Sequence, residues 1–472
     1  MSATNKVKLY NHPDYDSLSP LWVTYRDAYE GDPRVMVSSK YLIKHDLERK
    51  KQGMPLFRAR QERTAYTNYV EPIVGIWKNI MLSKQPKTET VENVLPDEEM
   101  ANVDGKGTSL NLLISDVVET ILTYGWVYIF VDAPKAGESL RPYFELADPL
   151  SVVNWQREFE DPQRLGKFNF ITRQYCAVRS SNSESKPAVV HYRETWARDV
   201  QGKVSKQIYT ANSESSTEWE KSGAPIEYPF LQEIPVAAVQ DADSWIKDLV
   251  PNALKYHNLV SGYENILHFQ AYRQTWISSN MPTSDRKAVS EYVINFLPTD
   301  ATVNVINSEN PIALAEHIKA TELNLYKIGL NILRQVSNDS SAVQSVDTLR
   351  EERKNVIDLI RAELGKVESI INQAVSAYAA FKSDPAYVST VELDKQIDLS
   401  AFDILLPMFE RLRDEVKRFP TWEKQMLKRF AEEMQPGELE IIKGEIEASK
   451  PEDLNAAALT RSSIFGNLTG GR

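Results

Sequence analysis

Between Trp245 and Phe381, apolar residues recur at steps of three and four, interrupted by short mixed or polar stretches. Leu249, Ala253, Tyr256, Val260, Tyr263 and Leu267 form one series. Val346, Leu349, Val356, Ile360, Leu364, Val367, Ile371, Ala374, Tyr378 and Phe381 form another. Such spacing puts the apolar groups on one stripe of an α-helix. The block therefore reads as a long helix, a compact insert, a second long helix, a polar loop and a third, longer helix. Long helices with a narrow seam usually pack against copies of themselves, so the pattern points to an assembly component before it points to an enzyme.

The earlier part reads differently. An aromatic-rich segment (Leu21, Trp22, Tyr25, Tyr29) leads into Arg58, Arg60 and Arg63. Those arginines fit a solvated helix face, with contact to a neighbouring subunit or a phosphate as the alternative. A helix is predicted over Glu71–Leu82, ended by Lys84-Gln85-Pro86 because proline disfavours helix at the residue before it. Another has Leu110, Leu113, Ile114, Val117, Val118, Ile121 and Leu122 in helical period, with Thr108 or Ser109 as cap and Gly125 as stop. Trp126–Val131 reads as a buried strand. From Arg141 to Asp243 short strands follow, among them Tyr143–Leu146, Phe168–Thr172 and Ala188–Tyr192, with hairpin loops at Ser180–Ser185 and Asn212–Thr217. Helix feeding strand through glycine, then a run of strands, predicts an α+β body. Residues Ala401–Met434 read as helical with charges on most faces, followed by an amphipathic piece over Pro436–Ala448.

Composition narrows the class. The 472 residues are 42 % hydrophobic and 26 % charged, which is ordinary for a chain with a sizeable core. The one cysteine, Cys176, rules out an intrachain disulfide and a four-cysteine zinc site. The start, Met1 to Lys6, lacks the apolar run of a signal peptide, and no run is long enough to span a bilayer, so a reducing cytoplasm and no membrane are expected. A net charge of -11 argues against a sequence-specific DNA binder, whose affinity comes largely from neutralising phosphates. It does not argue against passing a polyanion along without gripping it. A ring of about twelve copies would carry a charge on the order of -130, enough to repel a polyanion from most of its surface.

Little catalytic chemistry is legible. Gly105-Lys106-Gly107-Thr108 resembles the tail of a phosphate-binding loop, but Met100 stands where the first glycine is needed and Gly107 where a hydroxyl should follow the lysine. His257 and His268 share a helix face but lie roughly 16 Å apart along it, too far for one metal ion, and read as core or interface histidines. Asp347, Glu351, Glu352 and Asp358 with Arg350, Arg353, Lys354 and Arg361 read as surface ion pairs. No catalytic residue, metal ligand or cofactor site is expected. The loop Ser337-Asn338-Asp339-Ser340-Ser341 carries small polar groups and no cation; it is either a plain connection or a surface past which a polyanion slides. Gly262 and Gly329 sit inside strong helical patterns at a cost of about 1 kcal/mol each, which close packing or a kink would explain.

The order of these features resembles that of tailed-bacteriophage portal proteins, the head-tail connectors. The resemblance rests on Trp22, Asp27 and Gly31, then Tyr41-Leu42, the arginine-rich stretch into Tyr66-Thr67-Asn68, and a helix ending near Lys84-Gln85-Pro86. Leu110–Pro134, Tyr143–Trp155 and the long-helix block at Leu249–Phe381 follow in the same order. It spans residues 20–382.

The resemblance implies a portal-type α+β fold. Residues 1–244 would form most of an outward α+β wing, 245–277 a first stem helix and 278–311 a small α/β clip. Residues 312–336 would form a second stem helix, 337–345 a tunnel loop, 346–399 a long wing helix and connector, and 400–472 a helical crown. Neighbouring subunits would pair strands in the clip, through Tyr292, Val293, Ile294, Val303 and Val305. Ser337, Asn338, Asp339, Ser340, Ser341 and Gln344 would face double-stranded DNA, with Lys319, Lys327 and Arg334 as basic positions in the lumen. Such proteins form a ring, usually of twelve subunits, at one capsid vertex of the virion, after assembly in the host cytoplasm. Their partners are capsid protein and scaffold, the terminase motor, and later tail or adaptor proteins; DNA passes without sequence specificity, and the ring has no catalytic activity. The alternative expectation is a non-channel structural or adaptor protein of the head-tail junction.

Overall fold

A short strand, β1 (Lys6–Lys8), opens the structure, a computed structural model that describes residues 6–395 apart from 47, 51–53, 85, 89–94, 134–140, 159–165, 180–187, 215, 241–242, 272–274, 279–301, 306–310, 330–345 and 383–389. The chain divides after Ile397 into two units. The second, and with it the expected crown, lies outside the described residues.

Helix α1 (Pro13–Glu30) starts where proline is tolerated, with the His12 ring accepting the Asp14 N–H at 3.1 Å. It stops at Gly31, whose φ of 63° is left-handed. Short α2 (Pro33–Met36) and α3 (Met54–Arg63) follow, then α4 (Val70–Met81), which buries Ile73, Val74, Trp77 and Met81. After one turn at α5 (Asp97–Met100), α6 (Leu110–Tyr124) is capped by Ser109, which accepts the Leu112 N–H at 3.3 Å, and is ended by Gly125 at φ 77°.

The body's strands are β2 (Val127–Asp132), β3 (Tyr143–Ala147), β4 (Val152–Arg157), β5 (Phe168–Arg179), β6 (Ala188–Arg198), β7 (Val204–Ala211), β8 (Glu218–Lys221), β9 (Ile226–Tyr228) and β10 (Val236–Val239). β5 and β6 run well past the ends expected at Thr172 and Tyr192. The added residues are 173–179 of β5, which pair with 188–194 of β6, and 193–198 of β6, which pair with 204–209 of β7; charged and polar side chains among them hide the strand period. Seven strands form one antiparallel sheet in the order β1-β8-β7-β6-β5-β4, with β9 also on β7; β10-β2-β3 form a second.

The remaining elements are α7 (Leu249–Ala271), β11 (Thr275–Ser278), β12 (Thr302–Val305), α8 (Ile312–Gly329) and α9 (Val346–Phe381). The first long helix was expected to reach residue 277. It ends at Ala271, and Thr275, Trp276 and Ile277 form a strand against β12 instead. β-Branched and aromatic side chains suit a pleated strand, and a facing Val303–Val305 segment supplies the ladder.

The body has three layers. All six residues of β2 are buried because both of its faces are covered. Tyr128 and Phe130 meet Trp155, Phe168, Ile171, Trp196 and Val204 of the large sheet. On the other side lie α6 and α9, and the Tyr378 ring stands 5.3 Å from that of Phe144. From residue 356 to 378 the apolar series of α9 is buried as its spacing predicted, with Ile360, Leu364, Val367, Ile371, Ala374 and Tyr378 all inside, and Phe381 partly buried.

Candidate interface at the helix pair and its root

Helices α7 and α8 lie against each other, and the start of one is beside the end of the other. Trp77 of α4 marks both. Its ring is 5.1 Å from that of Trp245, just before α7, and its indole N–H donates to the Gly329 carbonyl at 2.7 Å, at the end of α8. Gly329 is there for close packing: a Cβ would come within 2.5 Å of Ile73 Cδ1. Thr321 and Leu325 complete the inner face of α8. The Tyr69 hydroxyl donates to Glu322 at 2.8 Å and its ring stands edge-on to Tyr256.

The buried line on α7 differs from the expected seam. Leu249 and Ala253 are buried, but the line continues through His257 and Ser261. Tyr256, Val260 and Tyr263 are half-buried, and Leu267 is 38 % exposed. The physical reason is a polar dock. His257 Nε2 donates to the Met36 carbonyl at 3.2 Å, and burial holds the ring's pKa below its ordinary value. Asn258 donates to the Tyr41 carbonyl at 2.9 Å and accepts the Ile43 N–H at 2.8 Å. Asn265 accepts from Arg63 at 2.8 Å. A search for apolar residues cannot find a stripe whose partners are hydrogen bonds.

At the centre of this dock is Arg60, which is 1 % exposed. It is not part of a solvated face but is enclosed by its own chain. Its guanidinium donates to both Glu48 oxygens, to Ser261 Oγ at 3.0 Å and to the Ile43 carbonyl at 2.6 Å. Burial pushes the Glu48 carboxyl up, but Arg60 and the His45 N–H together hold it below the usual range. Arg58 and Arg63 are exposed.

The residues that carried the family resemblance cluster at the same root. Asp27 accepts from Tyr41 Oη and Lys40 Nζ, both at 2.7 Å; these bonds overcome burial and lower its pKa. Asn68 donates to the Tyr29 carbonyl at 2.8 Å and accepts the Val70 N–H at 3.0 Å, tying the end of α1 to the start of α4. Tyr66 donates to the Ala28 carbonyl at 3.3 Å. These roles are architectural.

Of the residues expected to meet DNA or a neighbour, Lys319 is exposed on α8. Lys327 lies on α8, but its side chain falls outside the described residues. Val303 and Val305 sit on β12 opposite Ile277 and Thr275 of the same chain. Arg334, the loop Ser337–Ser341 with Gln344, and Tyr292-Val293-Ile294 lie outside the described residues.

Two constellations resemble chemical sites and are closed. In the loop over residues 102–108, Asp104 accepts from the Lys106 and Thr108 amides and from Thr108 Oγ1, and Asn102 accepts the Gly107 amide. No cradle of free N–H groups is left for a phosphate. Between the sheets, Arg173 is held by Glu194 and by Glu145 at 2.6 Å, while Lys206 pairs with Asp132 and stands 4.9 Å from the Trp196 ring. Among the described residues no group of His, Cys, Asp and Glu is placed to hold a metal ion, and no helix is long and apolar enough to cross a membrane.

No protein-family model and no curated protein matches the chain. Among solved structures it is similar to one described as "Neck of native GTA particle computed with C12 symmetry", at 11 % identity and a TM-score of 0.37, over 88 % of this chain and 91 % of that one. It is similar to "Neck of empty GTA particle computed with C6 symmetry", at 10 % identity and a TM-score of 0.36, over 89 % and 92 % of the two chains. A third is "Virion of native gene transfer agent (GTA) particle", at 10 % identity and a TM-score of 0.35, over 88 % and 91 %. A likeness of this degree assigns no family.

Proposed function

We propose that the chain is the subunit of a portal ring at one capsid vertex of a virion, through which double-stranded DNA is packaged and ejected. In this reading the α+β body is the wing and α7 with α8 is the stem. Residues 275–311 are the clip, 337–345 the tunnel loop and 400–472 the crown. The terminase motor docks first and tail or adaptor proteins later, and the ring itself does no chemistry.

The observation that carries the reading is the connection of elements. An antiparallel helix pair is rooted on an α+β body, its far ends run into a two-stranded ribbon, and a 36-residue helix then returns across the body's small sheet. Net charge supports it: at -11 per copy, the ring repels a polyanion over most of its surface, leaving Lys319, Lys327 and Arg334 as local basic positions.

Electron microscopy of the purified protein tests the proposal. Rings with a central hole are expected. Monomers or fibres would sink the channel and favour a non-channel component of the head-tail junction. Replacing Asn338, Asp339 and Ser341 together with lysine is expected to impair packaging or retention of DNA while leaving rings intact; unchanged packaging would remove the loop from the DNA path.

A further inference from the structure

The surface where residues 40–63 meet α7 has a character the fold does not use. This segment holds eight Lys or Arg against three Asp or Glu, a net +5 in a chain of -11, so the remaining residues carry -16. Lys40 is neutralised by Asp27 and Arg60 by Glu48. Lys50 and Arg58 are exposed and have no carboxylate partner among the described residues. Ile43 and Leu56 lie among these cations, 62 % and 48 % exposed.

The patch continues onto α7. Ile43 is tied to Asn258, and Asn258, Gly262 and Ile266 follow at steps of four along one row of that helix. Ile266 is 37 % exposed. Among the described residues, nothing beyond the helix itself lies within 4 Å of where a Gly262 Cβ would be. Gly262, unlike Gly329, therefore has no packing reason among the described residues. A helix bare at that position lets another backbone approach closely.

We propose that this patch docks a second copy of the chain, head to tail; the inference rests on the ring reading above. Charge selects the geometry. A basic patch cannot meet itself across a two-fold axis without like-charge repulsion. It can meet the acidic remainder of the next copy, and a contact between two different surfaces repeats until it closes a ring. The apolar residues give the contact a dry centre, and Lys50, Arg58 and Arg63 its charged rim.

Three paired variants test this by light scattering and electron microscopy: Ile43→Glu with Ile266→Glu, Lys50→Glu with Arg58→Glu, and the milder Ile43→Ala with Ile266→Ala. Far-UV circular dichroism reads the fold of each. Both glutamate pairs should give monomers at concentrations where the wild type forms rings, and the alanine pair should raise the assembly midpoint tenfold or more. Wild-type assembly in all three overturns the patch and leaves the ring reading standing. A wild-type chain that never associates overturns both. Because Lys50→Glu with Arg58→Glu keeps its acidic face, labelled copies should still join wild-type assemblies; their exclusion overturns the head-to-tail geometry.

Discussion

The Arg60 guanidinium holds both carboxylate oxygens of Glu48, at 2.9 and 2.7 Å, inside the root of α7. Leaving one charge of a buried pair alone is strongly destabilising, so Arg60→Ala should cost about 3–5 kcal/mol. Arg60→Met combined with Glu48→Leu should be more stable than either single variant. Urea unfolding measures all three. Because the Glu48 pKa is depressed in the fold, its contribution is present above the unfolded value of 4.5 and is lost as pH falls through the folded value. Glu48→Gln should flatten that acid limb.

Histidine gives a second pH effect in a different window. Burial holds the His257 pKa below 6.5, so the unfolded chain binds the proton more readily as pH drops beneath that value. Stability should therefore fall below pH 6.5, and part of that fall should vanish in His257→Gln. Melting temperatures from pH 7.5 to 5 compare the two proteins.

Gly262 and Gly329 should respond oppositely to alanine. Gly262→Ala adds a side chain in open space and should stabilise the isolated subunit by about 1 kcal/mol. Gly329→Ala pushes a methyl group into Ile73 and should destabilise by about 1–3 kcal/mol. Thermal melts of the two single variants decide this.

At Gly31 two penalties combine. Its φ of 63° disfavours any side chain, and a Cβ would lie 2.7 Å from Asn68 Nδ2. Gly31→Ala should cost about 1–2 kcal/mol. The cost should be smaller in an Asn68→Ala background, where the clash is gone. A double-mutant cycle by denaturant unfolding gives the coupling.

Much of this was legible in the sequence where one rule dominates. The period of α6, its serine cap and its glycine stop agree with one another, and Val356–Tyr378 keeps a single apolar stripe because it packs on the apolar small sheet and α6. α7 misled because its two sides are covered by different materials: aromatic and aliphatic contact on one, and hydrogen bonds from residues 36–63 on the other. Arg60 looked like its neighbours Arg58 and Arg63 because burial of an arginine depends on a distant carboxylate that spacing does not reveal. The inter-sheet pairs Arg173–Glu145 and Lys206–Asp132 escaped for the same reason: each joins strands of different sheets.

Trp77 touches both legs of the helix pair at their shared root, Trp245 just before α7 and Gly329 at the end of α8. Both legs of that pair thus stand on one indole. Any tug on the distal ribbon that tilts one leg must move the other through that shared footing, and trimming this single ring would slacken the two together.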